Sequence, residues 1–201
     1  MEIYLIRHTT PKVEKGVCYG QTDLDVTESF IAEANLIQQI LPTTIETVYS
    51  SPLQRCSKLA NHLFSDKKIE LHKDLMEINC GIWEMQYWDK IPRLNLQPWM
   101  DDFVNVSTPN GESYLQLHER VTKIFSVITQ LNTTAAIVAH GGVIRSILSY
   151  ITNTPLKESF DVFSLHYGCV IKIIQQQNTL VHQVLHNILP SEKEQHRPSY
   201  Y

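Results

Sequence analysis

The chain is poor in most of the features that mark a specialised protein. Its 201 residues hold 7 glycines and 4 cysteines, with no internal repeat and no low-complexity run. Cys18, Cys56, Cys80 and Cys169 make no CxxC pair and no zinc-type spacing, and nothing in their placement reads as a secreted disulfide framework. No apolar run approaches the roughly 18 residues of a membrane-spanning helix. The N-terminus lacks the basic region and apolar core of a signal peptide. These absences predict a soluble, cytoplasmic protein with reduced thiols. Positive charge is scarce too: the formal net charge is -4 and there are six arginines, which disfavours nucleic acid or an anionic membrane as a partner. Any anion site must be a local concentration of cations.

What is present is an ordinary globular composition, 43% hydrophobic and 19% charged, which argues against disorder. Short apolar runs read as buried strands at 3–6, 45–49, 69–71 and 135–139, with a closing pair at 169–174 and 179–186. Between them lie helical patterns. Phe30, Ala34, Ile37 and Leu41 share one face after a start at Thr27-Glu28. Ser51-Pro52 predicts a serine N-cap with proline at the first helical position, opening a helix that buries Cys56, Leu59, Ala60, Leu63 and Phe64. Pro109–Ser113 leads into a long helix with Tyr114, Leu117, Val121, Ile124, Phe125, Ile128 and Leu131 on one side. Strands alternating with helices predict a three-layer α/β/α sandwich with a mainly parallel central sheet. A single domain is expected over 1–190, with a small helical insertion at 82–106 rich in tryptophan and proline. The tail, 191–201, has no core face and is expected to be mobile.

The chemistry gathers at strand ends. Arg7-His8-Thr9 closes the first strand, Arg55 follows the second within a helical turn, Glu77 follows the third, and His140-Gly141-Gly142 closes the run 135–139. In a parallel sheet the carboxyl ends face the ligand crevice, so all five side chains can converge. Arginine presents a planar fork of donors that matches phosphate oxygens. Histidine adds a donor or a nucleophile, and glycines at a helix start let backbone N–H groups approach an anion. Taken singly, each has a plainer reading: a structural histidine, a surface arginine, a solvated Glu77. Glu112 reads as a first-turn helix residue interacting with the helix dipole. The tryptophans read as packing under a cap more readily than as crevice lining.

Together, Arg7-His8-Thr9, Ser51-Pro52-Leu53-Gln54-Arg55, Glu77 and His140-Gly141-Gly142 resemble the histidine phosphatase superfamily, with the motifs in the expected order to about Arg145. Gly16–Asp23, Gly81-Ile82-Trp83-Glu84 with Trp88, and Gly111-Glu112-Ser113 are similar to the α-ribazole phosphatase branch. The chain departs from many relatives at Glu14, where they carry asparagine, and at Met85, where they often carry glycine. The resemblance implies a phosphomonoesterase acting on a small phosphorylated metabolite, α-ribazole 5′-phosphate in cobalamin synthesis being the favoured one. His8 would be the nucleophile and Glu77 the general acid and base. Arg7, Arg55 and His140 would bind the phosphoryl group, the two arginines also favouring a neutral His8. No cofactor and no metal is expected.

Rival expectations are a phosphoglycerate mutase or a broad-specificity phosphatase, a non-catalytic phospholigand-binding protein, and a metal-dependent hydrolase using His8, His140 and Glu77. The mutase is disfavoured because 82–106 supplies only Lys90 and Arg93 as cations. The metal site is disfavoured because two arginines would repel a divalent cation. The sequence leaves the oligomeric state open.

Overall fold

The structure is a computed structural model and describes residues 1–177, 179–189, 195 and 197–200. Its centre is β1 (Glu2–Arg7), flanked on one side by β4 (Ala135–Ala139) in parallel and on the other by β5 (Val170–Gln176) in antiparallel. With β2 (Thr47–Ser50), β3 (Ile69–Leu71) and β6 (Thr179–His186) the sheet runs β3-β2-β4-β1-β5-β6. Its first four strands are parallel, and β5 and β6 close one edge as an antiparallel pair.

Strand periodicity explains the layers. Ile3, Leu5, Ile137 and Ala139 point to one face and pack with buried residues of α4 (Tyr114–Gln130) and α5 (Gly141–Thr152). Tyr4, Ile6, Ala136 and Val138 point to the other, against α1 (Phe30–Gln38) and α2 (Gln54–Leu63). The result is the expected three-layer sandwich. The insertion carries α3 (Arg93–Asp101) and two 3-10 turns, Gly81–Trp83 and Trp88–Lys90. Its apolar side chains form a third cluster, in which Trp83, Trp88, Ile91 and Leu96 pack with Cys18 and Cys80. The tryptophans are thus core of the insertion: Trp88 and Trp99 stack at 5.7 Å, with Trp83 edge-on to both.

Several boundaries differ from expectation. α1 begins at Phe30, and Thr27-Glu28 remains in the approach to it. α2 begins at Gln54, not Pro52, because Leu53 is still extended (ψ 134°); Ser51 Oγ accepts the Leu53 N–H at 3.3 Å in the turn before the helix. Leu131 ends α4 and is exposed, since the chain turns away from the core there. Glu112 precedes α4 and pairs with Arg120 instead of capping the helix dipole; the cap is Ser113, in a capping box with Gln116. Of the tail expected to be mobile, 191–194, 196 and 201 lie outside the described residues. Ser199 N–H donates to the Asp89 carboxylate at 2.7 Å, and the Arg93 guanidinium lies 5.7 Å from the Tyr200 ring.

Candidate active site

Register alone builds the centre of the site. Arg7 pairs with Ala139 across β1 and β4, and Ser50 pairs with Val138 across β2 and β4. The residues just past those strand ends are His8, His140 and Ser51, which therefore lie side by side at the carboxyl edge of the sheet. Backbone bonds continue the alignment by one step: His8 N–H donates to Ala139 O and Ser51 N–H to Val138 O, each at 3.0 Å. The rings of His8 and His140 meet edge to face, 5.1 Å apart.

His8 is buried, and its Nδ1 lies 2.7 Å from the Thr9 carbonyl. A carbonyl can only accept, so Nδ1 carries a proton, and in the neutral ring the lone pair is on Nε2. That is the tautomer a nucleophilic imidazole needs. His140 is fully buried, with Nε2 2.8 Å from Ser51 Oγ. Burial first, then the charge of Arg55, holds its pKa well below the usual histidine value, so it is a neutral ring. Cys56 is packed beside it, Sγ 3.4 Å from Nε2, but burial pushes that thiol up to about 12 and makes it inert as a nucleophile.

The two arginines flank this pair. Arg7 Nη1 donates to Leu165 O at 2.6 Å. Arg55, in the first turn of α2, sends Nη1 to Thr22 O and Nη2 to Gly20 O, each at 2.8 Å. Its Nε is buried with no hydrogen-bond partner among the described residues. The loop 12–25 is thereby tied to the site by a guanidinium. Glu84 secures the same loop from the insertion, accepting from Gln21 N–H at 2.8 Å and from Thr22 Oγ1. Glu14 accepts from the Tyr87 hydroxyl, so this departure from the family pattern links loop and insertion.

Glu77 joins from the far side. Its Oε1 accepts the Ile78 N–H at 2.9 Å and its Oε2 the Gly142 N–H at 3.1 Å, placing the carboxylate at the start of α5. A Cβ on Gly142 would overlap Glu77 Oε1, which explains the glycine there. The segment carrying Glu77 is held by Arg120, which donates to the carbonyls of Asp74, Met76 and Glu77 and pairs with Glu112 at 2.6 Å.

All five expected residues are thus brought to one end of the sheet. Three more were not singled out beforehand. Arg120 positions Glu77, and its only sequence signal is an arginine beside Val121 on the flank of an amphipathic helix. Tyr19 and Tyr167 lie against the two site arginines; Tyr19 falls inside the Gly16–Asp23 motif, though the motif gave it no role, and nothing in the sequence marks Tyr167. Among the described residues, no cluster of three or more His, Cys, Asp or Glu side chains is arranged to hold a metal ion. No helix among them is long and apolar enough to cross a membrane.

An imidazole held through Nδ1 by a backbone carbonyl, a second buried imidazole, two guanidinium groups and a carboxylate at a helix start are the groups that a phosphoryl-transfer site uses. The chain matches the model of the histidine phosphatase superfamily (branch 1) over residues 3–188, and it belongs to that family. Membership supports a phosphatase hydrolase. The chain is 27% identical over 192 residues to a putative phosphoserine phosphatase 2 of Hydrogenobacter thermophilus, covering 90% of this chain and 93% of the relative. To the adenosylcobalamin/alpha-ribazole phosphatase of Escherichia coli it is 24% identical over 191 residues, 90% and 94% of the two chains. The crystal structure of the alpha-ribazole phosphatase from Shigella flexneri superposes with a TM-score of 0.83 at 24% identity, over 92% of this chain and 96% of that one, a likeness of fold.

Proposed function

We propose that this chain is a phosphomonoesterase that works through a phosphohistidine on His8, with α-ribazole 5′-phosphate as its substrate. His8 Nε2 attacks phosphorus, the P–N bond forms, and the ester P–O bond breaks. Glu77 gives its proton to the departing alkoxide, then takes one from the water that cleaves the P–N bond. Arg7, Arg55 and His140 hold the equatorial oxygens and stabilise the charge that develops there. The observation that carries this reading is the pairing of His8 and His140 at 5.1 Å, with His8 Nδ1 committed to the Thr9 carbonyl. The choice of substrate draws on the likeness to the Escherichia coli relative and on the loop and insertion motifs.

Phosphate release from α-ribazole 5′-phosphate, phosphoserine and 3-phosphoglycerate tests it. The expected result is a kcat/KM for α-ribazole 5′-phosphate at least about tenfold above the other two, a difference of roughly 1.4 kcal/mol in transition-state binding. Preference for phosphoserine would overturn the substrate and leave the chemistry standing. Isomerisation of 3-phosphoglycerate in place of phosphate release would overturn the hydrolase.

A further inference from the structure

Arg55 reaches the site from the first turn of α2, a helix that does not cap itself. Leu53 stands at the cap position without a side-chain oxygen, and Ser51 Oγ takes the Leu53 N–H at 3.3 Å, one residue short of the helix. The missing acceptor comes from loop 12–25. Asp23 Oδ1 accepts the Gln54 N–H at 2.7 Å, a carboxylate at the positive end of the helix. Gln54 returns the bond, its side-chain Nε2 donating to Asp23 O at 2.9 Å.

Arg55 repeats the pattern one residue along, with Nη1 on Thr22 O and Nη2 on Gly20 O. Four bonds thus join residues 54–55 to residues 20–23, and Asp23 lies at both ends of the arrangement. Its carboxylate fixes the backbone of Gln54, next to the root of the Arg55 side chain. Its own backbone is bonded to Thr22, whose carbonyl orients the tip. The remaining guanidinium donors, among them a buried Nε with no hydrogen-bond partner among the described residues, face where these bonds turn them. Asp23 is itself exposed, so it contributes bonds and not packing.

We propose that Asp23 is the positioning residue for Arg55: by capping α2 from the loop, it aims the guanidinium at the phosphoryl group. Asp23 touches neither substrate nor the reacting atoms and acts only through Arg55. Without its carboxylate the Gln54 N–H loses its acceptor, the loop and the start of α2 move independently, and the guanidinium no longer holds one orientation. Preorganised donors stabilise a transition state because they need not reorient as charge develops, so the loss falls on turnover. The inference rests on the phosphomonoesterase reading above and deepens it by naming what sets one of its phosphate-binding groups.

The experiment measures kcat/KM for p-nitrophenyl phosphate, whose phenolate leaves with little help from an acid, so that the rate reports the phosphoryl end of the site. The parent is compared with Asp23→Ala, Asp23→Asn, Arg55→Ala and the double variant Asp23→Ala/Arg55→Ala. Asp23→Ala is expected to lower kcat/KM about tenfold, the scale of one lost N-cap. Asp23→Asn keeps an acceptor oxygen in place and is expected to stay within about threefold of the parent. In the Arg55→Ala background the Asp23→Ala change is expected to cost less than about twofold more, because a residue acting through Arg55 then has nothing to position. A merely structural role would cost the same in both backgrounds. That equal loss, an Asp23→Ala value within about twofold of the parent, or Asp23→Asn no better than Asp23→Ala overturns this inference alone. A parent that neither hydrolyses the ester nor forms a phosphohistidine overturns the phosphomonoesterase reading and this inference together.

Discussion

At the scale of single residues, Gly142 is the most economical probe of the site. It donates its N–H to Glu77, and any β-carbon there would collide with the same carboxylate. The colliding atom ends a flexible side chain, and alanine is the better helix former, so the fold tolerates Gly142→Ala. Glu77 has to swing away. The expected outcome is a kcat lower by about 10²-fold, the lower range of general acid–base contributions, with the unfolding midpoint nearly unchanged. Full activity in this variant would remove Glu77 from the chemistry. Residues of this scale were legible wherever a local signal marked them. Arg7 and His8 end a strand, Arg55 opens a helix, and His140 precedes two glycines. Arg120 was not legible, because the carbonyls it binds, those of Asp74, Met76 and Glu77, are more than forty residues away, and Glu112, eight residues back, lies before the helix.

At the scale of elements, side chains that serve the site override capping statistics. Ser51 looks like an N-cap and its hydroxyl accepts the Leu53 N–H at 3.3 Å, but the same oxygen contacts His140 at 2.8 Å and α2 starts three residues later at Gln54. Ser113 has no such second duty and caps α4 as its sequence context predicts. The insertion shows the reverse case, a local rule broken and left broken. Met85 has φ +64° and is 52% exposed, while its N–H donates to Cys18 O at 2.6 Å. A left-handed conformation costs a non-glycine residue roughly 1–2 kcal/mol, and glycine loses up to about 1 kcal/mol of chain entropy in folding. Little burial is forfeited at an exposed side chain. Met85→Gly is therefore expected to stabilise the protein by up to about 1 kcal/mol in urea unfolding. Clear destabilisation would mean that the Met85 side chain packs in a way its exposure denies.

At the scale of the whole molecule, the two faces of the sheet were legible because uninterrupted apolar runs such as Ile3–Ile6 and Ala135–Ala139 can only be buried on both sides. The joining of loop 12–25 to the insertion was not, since it depends on Glu14, Glu84, Cys18 and Cys80 meeting across long separations. Burying a neutral histidine at the centre also makes global stability depend on pH. In the unfolded chain His140 takes up a proton near pH 6.5; in the fold, burial and then Arg55 hold its pKa well below that. Above pH 6.5 the group is neutral in both states and contributes no slope. Below it the unfolded state binds the proton and the native state does not, so stability falls as pH falls, by about 1.4 kcal/mol per pH unit. His118, half-buried and shifted down by desolvation, adds to the same trend. Urea unfolding between pH 7.5 and 5 should show the decline, and His140→Gln should flatten it. Stability that is level or rising towards pH 5 would contradict a buried neutral His140.

The assembled molecule makes one covalent claim, that the imidazole of His8 carries the phosphoryl group between the two half-reactions. Rapid acid-free quenching of the enzyme during turnover of a radiolabelled phosphate ester measures this directly. The account predicts label that is acid-labile and alkali-stable, confined to the peptide containing His8 and lost in His8→Ala together with turnover. Undiminished turnover in His8→Ala, or label on any other residue, would contradict it.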